Sequence, residues 1–457
     1  MAPFSADNRC PECARLRRRV AELEAQVEKL TRLLEQLQRG AKRQAAPFSR
    51  GQPKSDPKPP GRKPGAAYGT PAHRPPPAPE QIDEVHEAAL PEACPDCGGR
   101  VVEDRVEGQF QTEIPRRPIY RRFDVHVGHC MQCGTRVQGR HPLQTSNALG
   151  AAASQLGPDA QAALVELNKH LGLSHGKSVS CLERLFGIRL TRGGSAQVVE
   201  RAARRLQPIY QQLCHTVRRA RQVVPDETGW RIGGRSAWLH VLVARRATVY
   251  AIGDRSSAVA MSILGAEYSG VLVHDGWAPY DQFQQARHQQ CLQHLRRRCA
   301  ELLEVAARGA AHFPHQVAES LRAALALRDR YAASQISRHG LALARGHLAR
   351  RLSRLLWPPK RQAAHERLAA HLWKHFHELF TFLTVPGVDA TNWRAEHALR
   401  FAVVNRKVWG GNRTPSGGEA QAILLSVWRT CWQHGQSALD FLSHLLRDLA
   451  IALPLPP

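Results

Sequence analysis

Long apolar stretches are absent from this chain of 457 residues. Its apolar runs, such as residues 422–427, end well before the roughly 18 residues that a membrane-spanning helix requires. The pattern of a secretory signal, a basic segment followed by an apolar one, is also missing near Met1. We therefore expect a soluble, cytoplasmic protein that does not contact a membrane.

Acidic residues are scarce relative to basic ones. The chain has 39 Asp and Glu against 64 Lys and Arg, which gives a formal net charge of +25. Such an excess favours a polyanionic partner, because each cation that neutralises a phosphate releases a counterion. A merely Arg- and Ala-rich composition is the alternative. With 43% hydrophobic residues the chain is globular, and the charge favours nucleic-acid binding.

A disulfide framework is not expected from the 11 cysteines, because six of them form CxxC pairs, a spacing typical of metal ligands. Two pairs are each followed by glycine and resemble zinc knuckles. Together they predict a closed, tetrahedral structural Zn²⁺ site in a module at 81–145. Its ligands would be Cys94, Cys97, Cys130 and Cys133. The third pair, Cys10 and Cys13, either shares a zinc between two chains or has no metal.

A heptad repeat occupies the N-terminal region, 1–40. Leucine recurs every seven residues, with a further apolar residue between successive leucines. The leucines are Leu16, Leu23, Leu30 and Leu37, and the residues between them are Val20, Val27 and Leu34. Leucine at d and mainly valine at a favour a parallel two-stranded coiled coil. We expect a homodimer or a higher assembly; packing of this helix within its own chain is the alternative.

Two further segments separate this repeat from the centre of the chain. Residues 41–80 are rich in proline and basic residues and have few large apolar ones, so they form a linker.

Residues 150–220 have helical periodicity and contain a candidate helix–turn–helix, with helices at 179–186 and 196–206 and a turn at Gly187. Helix pairs of this kind are common in α-rich proteins, so structural packing is the favoured role.

The pattern changes to short β-type runs after residue 221. Strands are predicted at 223–224, 237–243, 248–252 and 270–273, with a helix at 258–264. A helical insertion follows at about 291–385, broken by Pro358 and Pro359, and helices resume near Thr391 and fill the C-terminal region, 411–457. The fold class is therefore α/β.

Three acidic residues stand out in this region. Asp226 and Asp275 each follow an apolar strand, where a carboxylate is rigidly placed and accessible to a cation that prefers oxygen ligands. Glu396 lies in a predicted helix with an apolar face that would pack on the sheet. Ordinary turn, cap and surface roles are the alternative for each residue taken singly.

Five motifs occur in a fixed order along the chain. They are DETGW (226–230), HDGW (274–277), HQxCxxH (288–294), TNxxAExxLR (391–400) and RKxxGGxR (406–413). In this order, and with the preceding coiled coil, basic linker and cysteine module, the chain resembles the insertion sequence sixty-six family of bacterial transposases, of the DDE type. It departs from the family pattern at Trp393 and His397, where the family usually has Asn and Arg.

The resemblance implies an RNase H-like catalytic domain at 221–410, interrupted by the helical insertion. It also implies that Asp226, Asp275 and Glu396 form a catalytic triad that binds two Mg²⁺ (or Mn²⁺) ions. Such an enzyme would cleave and join the terminal inverted repeats of an insertion sequence and its target DNA. It would act at the bacterial nucleoid, with or without accessory proteins of the same element.

Basic residues around the third carboxylate are candidates for contacts with DNA phosphates, and surface charge is the alternative for each. They are Arg394, Arg400, Arg406, Lys407 and Arg413. His288, Cys291 and His294 are predicted to support the active site, with a transition metal as the alternative.

Two other functions fit parts of the pattern. A catalytically inactive DNA-binding accessory protein or regulator would keep the zinc module and the coiled coil. Another RNase H-like nuclease, such as a junction resolvase, would not need them. The presence of all three carboxylates favours the transposase.

Overall fold

The computed structural model describes residues 15–16, 19–20, 22–23, 26–27, 30, 76–112, 114, 117–150, 154–306 and 309–447. The chain divides into two compact units, Met1–Pro115 and Arg116–Pro457. Cys10, Cys13, Leu34, Leu37 and most of the predicted linker lie outside the described residues.

The described positions of the heptad repeat in the first unit are helical. They are Leu16, Val20, Leu23, Val27 and Leu30, and each is at least 45% exposed. The apolar stripe is therefore helical and accessible within one chain. That a second chain covers it stays a prediction.

The first CxxC pair of the predicted zinc module forms a tight turn in this unit. The backbone N–H of Cys94 donates to the carbonyl of Gly99 at 2.9 Å, and that of Gly98 donates to the carbonyl of Cys94 at 2.9 Å. Gly98 has φ of 72°, a left-handed conformation that favours glycine. Among the described residues of this unit none is buried, so an apolar core does not hold the turn in place.

The second CxxC pair forms an equivalent turn in the second unit. It joins β1 (Val127–His129) to the antiparallel β2 (Arg136–Gln138). Here the backbone N–H of Cys130 donates to the carbonyl of Thr135 at 2.9 Å, and that of Gly134 donates to the carbonyl of Cys130 at 2.8 Å. The two CxxC pairs therefore form turns with the same backbone hydrogen bonds, and the zinc module stays a prediction.

The predicted helix–turn–helix segment forms two helices that are longer than predicted. After α1 (Pro158–Val165) and a π-turn (Glu166–His170) come α2 (His175–Phe186) and α3 (Arg192–Arg218). Gly187 ends α2 with φ of 68°, as a left-handed cap. One face of α3, which includes Val198, Leu206 and Leu213, is buried in the core. Packing therefore accounts for this helix pair.

A five-stranded mixed sheet forms the centre of the second unit. Its strands are β3 (Gln222–Ile232), β4 (Arg235–Val243), β5 (Thr248–Gly253), β6 (Val271–His274) and β7 (Arg287–Gln290). The spatial order is β5-β4-β3-β6-β7. β4 runs antiparallel to both of its neighbours, β3 and β5, whereas β6 runs parallel to both β3 and β7. This arrangement confirms the predicted α/β class.

One prediction about the sheet was wrong, and one strand was not predicted. Asp226 does not end its strand: it lies inside β3, which continues through an antiparallel hairpin with β4. Gly233 and Gly234 make the hairpin turn, both with positive φ. The strand β7 was missed, because its sequence RHQQ has no apolar residue. Two of its four residues are nevertheless buried.

The predicted insertion is helical and returns to the sheet. It contains α5 (Leu292–Glu304), α6 (His312–Ala332), α7 (Arg338–Leu356) and α8 (Ala363–Lys374), followed by two 3₁₀ turns. As predicted, α7 ends just before Pro358. The chain then forms α9 (Trp393–Trp409), α10 (Pro415–Gln433) and α11 (Ala438–Arg447). A further helix, α4 (Ser257–Leu264), lies between β5 and β6.

Side-chain alternation along the strands divides the apolar residues into two cores, one on each face of the sheet. Val223 and Leu272 belong to the first core, together with residues of α3, α10 and α11. Val224 and Val273 belong to the second core, together with residues of α9 and the insertion. In the described part of the chain no helix has the length and apolarity needed to cross a membrane.

Candidate active site

Asp226 and Asp275 lie at the same level on two neighbouring parallel strands of the sheet. Asp226 lies within β3, and Asp275 directly follows β6. β3 and β6 pair in a register that sets Gln222 opposite Val271. Asp226 and Asp275 each lie four residues further along the chain. Residues at one level on neighbouring strands point to the same face. Both carboxylates therefore belong to the face that the second core and α9 cover.

Glu396 reaches this face from the first turn of α9. The predicted apolar face of the helix is confirmed, because four residues are at most 5% exposed: Ala395, Ala398, Leu399 and Ala402. The helix is tied to the sheet by Tyr250, whose hydroxyl donates to the carbonyl of Ala398 at 2.7 Å. The side chain of Glu396 remains 47% exposed. The helix thus packs on the sheet while this carboxylate stays accessible.

The three carboxylates interact electrostatically. The pKa of Asp226 is raised well above its ordinary value, first by burial and then by the negative charges of Asp275, Glu227 and Glu396. Repulsion of this kind disfavours the ionised form unless a cation neutralises it. A group of partly buried carboxylates with unfavourable negative charge suits a hard divalent cation, which prefers oxygen ligands. The residues present therefore fit the metal that the resemblance implies.

Glu227 adds a fourth acidic group, on the opposite face of β3. Its carboxylate accepts a hydrogen bond from the hydroxyl of Tyr280 at 3.3 Å and lies 3.5 Å from the guanidinium of Arg255. Burial, followed by the charge of Asp275, raises the pKa of Glu227 to about 7, although Arg255 acts in the opposite direction. Tyr280 and Arg255 hold Glu227 on the face of β3 opposite the three carboxylates. Its negative charge nevertheless contributes to the raised pKa of Asp226.

A comparison with family models gives one match. The family described as Transposase IS66 family matches residues 153–420, a span that contains Asp226, Asp275 and Glu396. The chain belongs to this family. A comparison with curated proteins gave no match. Membership of this family gives the chain the role of a transposase, and its three carboxylates lie within the matched region.

The predicted support residues of the transposase lie beside the triad. The backbone N–H of Asn392 donates to the thiol sulfur of Cys291 at 3.4 Å, and that of Leu292 donates to the carbonyl of Ala390 at 3.0 Å. These bonds tie the start of α5 to the chain just before α9. His294, on α5, has its Nε2 atom 3.6 Å from the carboxylate of Glu396.

His288 belongs to a chain of hydrogen bonds behind Asp275. The backbone N–H of Gly276 donates to Nδ1 of His274 at 3.1 Å. Nε2 of His274 lies 2.9 Å from Nδ1 of His288, and Nε2 of His288 lies 3.1 Å from the carbonyl of Phe283. Since the first group can only donate and the last can only accept, the direction follows: His274 donates to His288, and His288 donates to Phe283. Burial, and then His288, lowers the pKa of His274 to about 3, so it stays neutral.

The alternative predicted from sequence is a transition metal at His288, Cys291 and His294. In the described part of the chain, the potential ligands that lie close together form a different group. Ligand atoms of His274, His288 and Glu378 lie within 4.8 Å of one another. However, all four ring nitrogens of the two histidines already take part in the hydrogen-bond chain. Glu378 in turn accepts bonds from His375 and Gln290. These hydrogen bonds explain why the three residues lie close together, and they indicate that the cluster supports the loop that carries Asp275.

The candidate phosphate contacts differ in their surroundings. Arg394 is ion-paired with Asp389 at 2.7 Å, and Nη1 of Arg406 donates to the hydroxyl of Thr228 at 3.2 Å. Arg400, Lys407 and Arg413 are exposed. The exposed three are the stronger candidates for DNA contacts, because Arg394 and Arg406 are engaged within the protein.

Sequence reasoning missed some of the groups around this site. Glu227 was part of a recognised motif but received no role, and Tyr280 and Arg255 carried no signal at all. Arg429 and Trp432 on α10 were also missed, although both contact His397, the neighbour of Glu396. Only the packing of α10 beside α9 reveals them.

Proposed function

We propose that this transposase is a DDE enzyme that cleaves and joins the DNA ends of an insertion sequence. Asp226, Asp275 and Glu396 would hold two Mg²⁺ or Mn²⁺ ions. The observation that carries the proposal is that Asp226 and Asp275 lie at one level on neighbouring parallel strands, on the face of the sheet that α9 covers with Glu396 in its first turn. In keeping with this geometry, the charges of Asp275 and Glu396 both raise the pKa of Asp226. Three carboxylates from elements up to 170 residues apart in sequence therefore share one electrostatic environment. Divalent ions bound there would activate the attacking oxygen and stabilise the leaving one during phosphoryl transfer.

The sheet supports the RNase H-like part of this proposal. An antiparallel meander of three strands continues into two parallel strands, and the acidic residues come from the central strand and its parallel neighbour. A helix from the end of the domain supplies the third carboxylate. The long insertion between β7 and α9 leaves this arrangement intact, since its two ends are bonded together.

The protein groups around the triad have distinct parts in the proposed reaction. The hydrogen-bond chain through His274 and His288 holds the turn at Gly276 and thereby orients Asp275. His294 approaches Glu396 from α5. Positive charge at Arg400, Lys407 and Arg413 would attract the phosphates of the DNA strand and help to position them.

The proposal is tested by Mg²⁺- or Mn²⁺-dependent cleavage of DNA that carries the ends of the encoding element. The variants are Asp226→Asn, Asp275→Asn and Glu396→Gln, with Glu301→Gln, an exposed glutamate on α5, as the matched control. We expect each triad variant to lose cleavage while DNA binding persists, and the control to cut normally. If the wild type binds these ends but never cuts, with every metal and with the element's other proteins supplied, the proposed activity is wrong.

A further inference from the structure

Three aromatic rings form a row on the exposed surface beside Glu396. The ring centroid of His397 lies 6.5 Å from that of Trp393 and 5.5 Å from that of Trp432. Trp393 and Trp432 are 51% and 56% exposed. We call Trp393, His397 and Trp432 the aromatic row. Large aromatic surfaces left in water cost free energy, so an exposed row suggests a ligand rather than a core.

The row lies on the same side of α9 as the third carboxylate. A helix turns about 100° per residue, so Glu396 is only about 60° around the axis from Trp393 and about 100° from His397. The buried alanines of α9 occupy the other side, against the sheet. A molecule that contacts the row is therefore next to the carboxylate that we propose to hold metal.

Positive charge accompanies the rings. The guanidinium of Arg429 lies 4.0 Å from the centroid of Trp432, and its Nη2 atom is 2.9 Å from Nδ1 of His397. Arg394 lies 5.2 Å from the centroid of Trp393, but its charge is paired with that of Asp389. In the described part of the chain, Arg429 forms no ion pair with a carboxylate, and its buried Nε–H has no hydrogen-bond acceptor. Its charge is therefore not neutralised by a carboxylate of these residues, and the half-buried side chain can present that charge to an anionic ligand.

A cleft of about 480 Å³ opens beside the row. It is lined by Trp432, Arg429 and His397 and by further residues that include Arg400, Phe401 and Trp428. Among the described residues that line the cleft there is no carboxylate. Its volume lies in the range of sites for small organic groups. Flat rings, two arginines and the absence of acidic groups suit a planar base attached to a phosphate.

We propose that the aromatic row and this cleft bind an unpaired nucleotide of the DNA next to the strand that reacts. The base stacks on Trp393 or Trp432, and Arg400 and Arg429 neutralise the adjoining phosphate. Stacking on aromatic side chains does not depend on base identity, because every base has a π-face. This inference rests on the proposed function for its place in the reaction, but the binding itself can be tested without catalysis. A protein partner fits less well, because Arg400 and Arg429 flank the row and the row lies beside the triad.

The test compares full-length wild type with Trp393→Ala and Trp432→Ala. The matched control is Trp357→Ala, a tryptophan on the helical insertion that is 76% exposed. The probes are a fluorescent oligothymidylate and a duplex of the same length, measured by anisotropy at one salt concentration without Mg²⁺. Loss of one stacked base corresponds to about a 5- to 100-fold loss of affinity. We expect this loss for the single strand with at least one of the two row variants, a much smaller change for the duplex, and no change for the control.

A conservative variant separates stacking from folding. Trp432→Tyr keeps an aromatic face, and we expect its affinity for the single strand to stay within about threefold of the wild type, because a tyrosine ring also stacks with a base. Equal losses for single strand and duplex would overturn the proposal, as would row variants that bind oligothymidylate normally. A change in oligomeric mass with normal binding of the single strand would assign the row to a protein interface instead.

The binding test of the stacking site and the cleavage test of the proposed function can fail independently. If the wild type never cuts DNA but the row variants lose affinity for the single strand, the stacking site stands and the nuclease proposal fails. If the wild type cuts and the row variants bind and cut as it does, the stacking site alone is wrong.

Discussion

The thiol sulfur of Cys291 lies 3.4 Å from the backbone nitrogen of Asn392, across an insertion of about 100 residues. Cys291 is 1% exposed, and Asn392 is the N-cap of α9. This bond joins the two ends of the insertion at the point where the chain returns to the sheet. It explains how four helices are accommodated between β7 and α9 without displacing Glu396.

Replacing this thiol should weaken the junction. We expect Cys291→Ala to lower the free energy of unfolding by about 1–3 kcal/mol, because a buried N–H loses its acceptor and a small cavity forms. Urea unfolding followed by tryptophan fluorescence measures the change. Cys181→Ala, at a half-buried position of α2, is the control and should shift the midpoint less. Equal shifts for the two variants would contradict the special role of Cys291.

The histidine chain should affect catalysis more than DNA binding. Some residues do not bind the metal but orient the residues that do. Replacing such a residue typically lowers activity or metal affinity by about 10- to 100-fold. We therefore expect His288→Ala to reduce Mg²⁺-dependent cleavage by that factor, with DNA affinity unchanged and partial recovery at higher Mg²⁺. His339→Ala, an exposed histidine on α7, serves as the control. Normal cleavage by His288→Ala at limiting Mg²⁺ would rule out this role.

Lys169 should make stability depend on pH. It is only 4% exposed, its Nζ donates to Gln421 at 2.7 Å, and burial lowers its pKa to about 8. Between this value and the ordinary 10.5 the unfolded chain binds more protons than the folded one, so stability rises with pH through that window. Below pH 8 both forms are protonated, and the full cost of burying the charge remains.

The change from pH 7.5 to pH 9.5 should stabilise the wild type by about 2 kcal/mol relative to Lys169→Met, which has no proton to release. Urea unfolding at the two pH values measures this difference. Lys177→Met, at an exposed position of α2, should follow the wild type. A pH dependence that survives in Lys169→Met would show that another group is responsible.

The cysteine module should contain zinc. Backbone hydrogen bonds, from Asp96 first, lower the pKa of Cys94, and the hydroxyl of Thr135 has the same effect on Cys133, so both favour the thiolate that binds metal. We expect about one tightly bound Zn²⁺ per chain by elemental analysis, in line with a single closed site. Cys97→Ser and Cys133→Ser should each lose it, whereas Cys181→Ser should retain it. Retention of zinc by both knuckle variants would refute the predicted ligands.

The heptad repeat should set the oligomeric state. Leu23→Lys combined with Leu30→Lys places charge in the expected seam, and we predict a monomer by analytical ultracentrifugation where the wild type is a dimer or larger. Glu22→Lys introduces the same charge at an exposed position outside the seam and should leave the assembly intact. If the double variant keeps the wild-type mass, the helix does not mediate association.

Local sequence patterns determined much of this protein. The β-branched-rich runs of β4 and β5, the glycines at 233 and 234, and the prolines after α7 each act over a few residues, so their structures follow from sequence. The apolar face of α9 was also predictable, because Ala395, Ala398, Leu399 and Ala402 recur at helical spacing. The motifs, taken in order, identified the family.

Tertiary structure decided what depends on distant contacts. β7 was invisible in sequence, since Arg287, His288, Gln289 and Gln290 form a strand only because β6 supplies its hydrogen-bond partners. The common level of Asp226 and Asp275 follows from the register of two strands, and the raised pKa of Asp226 follows from burial under α9. The meeting of His397 with Trp432 across two helices likewise depends on packing. Local propensity acts along the chain, whereas register, burial and electrostatic coupling arise only when separate elements come together.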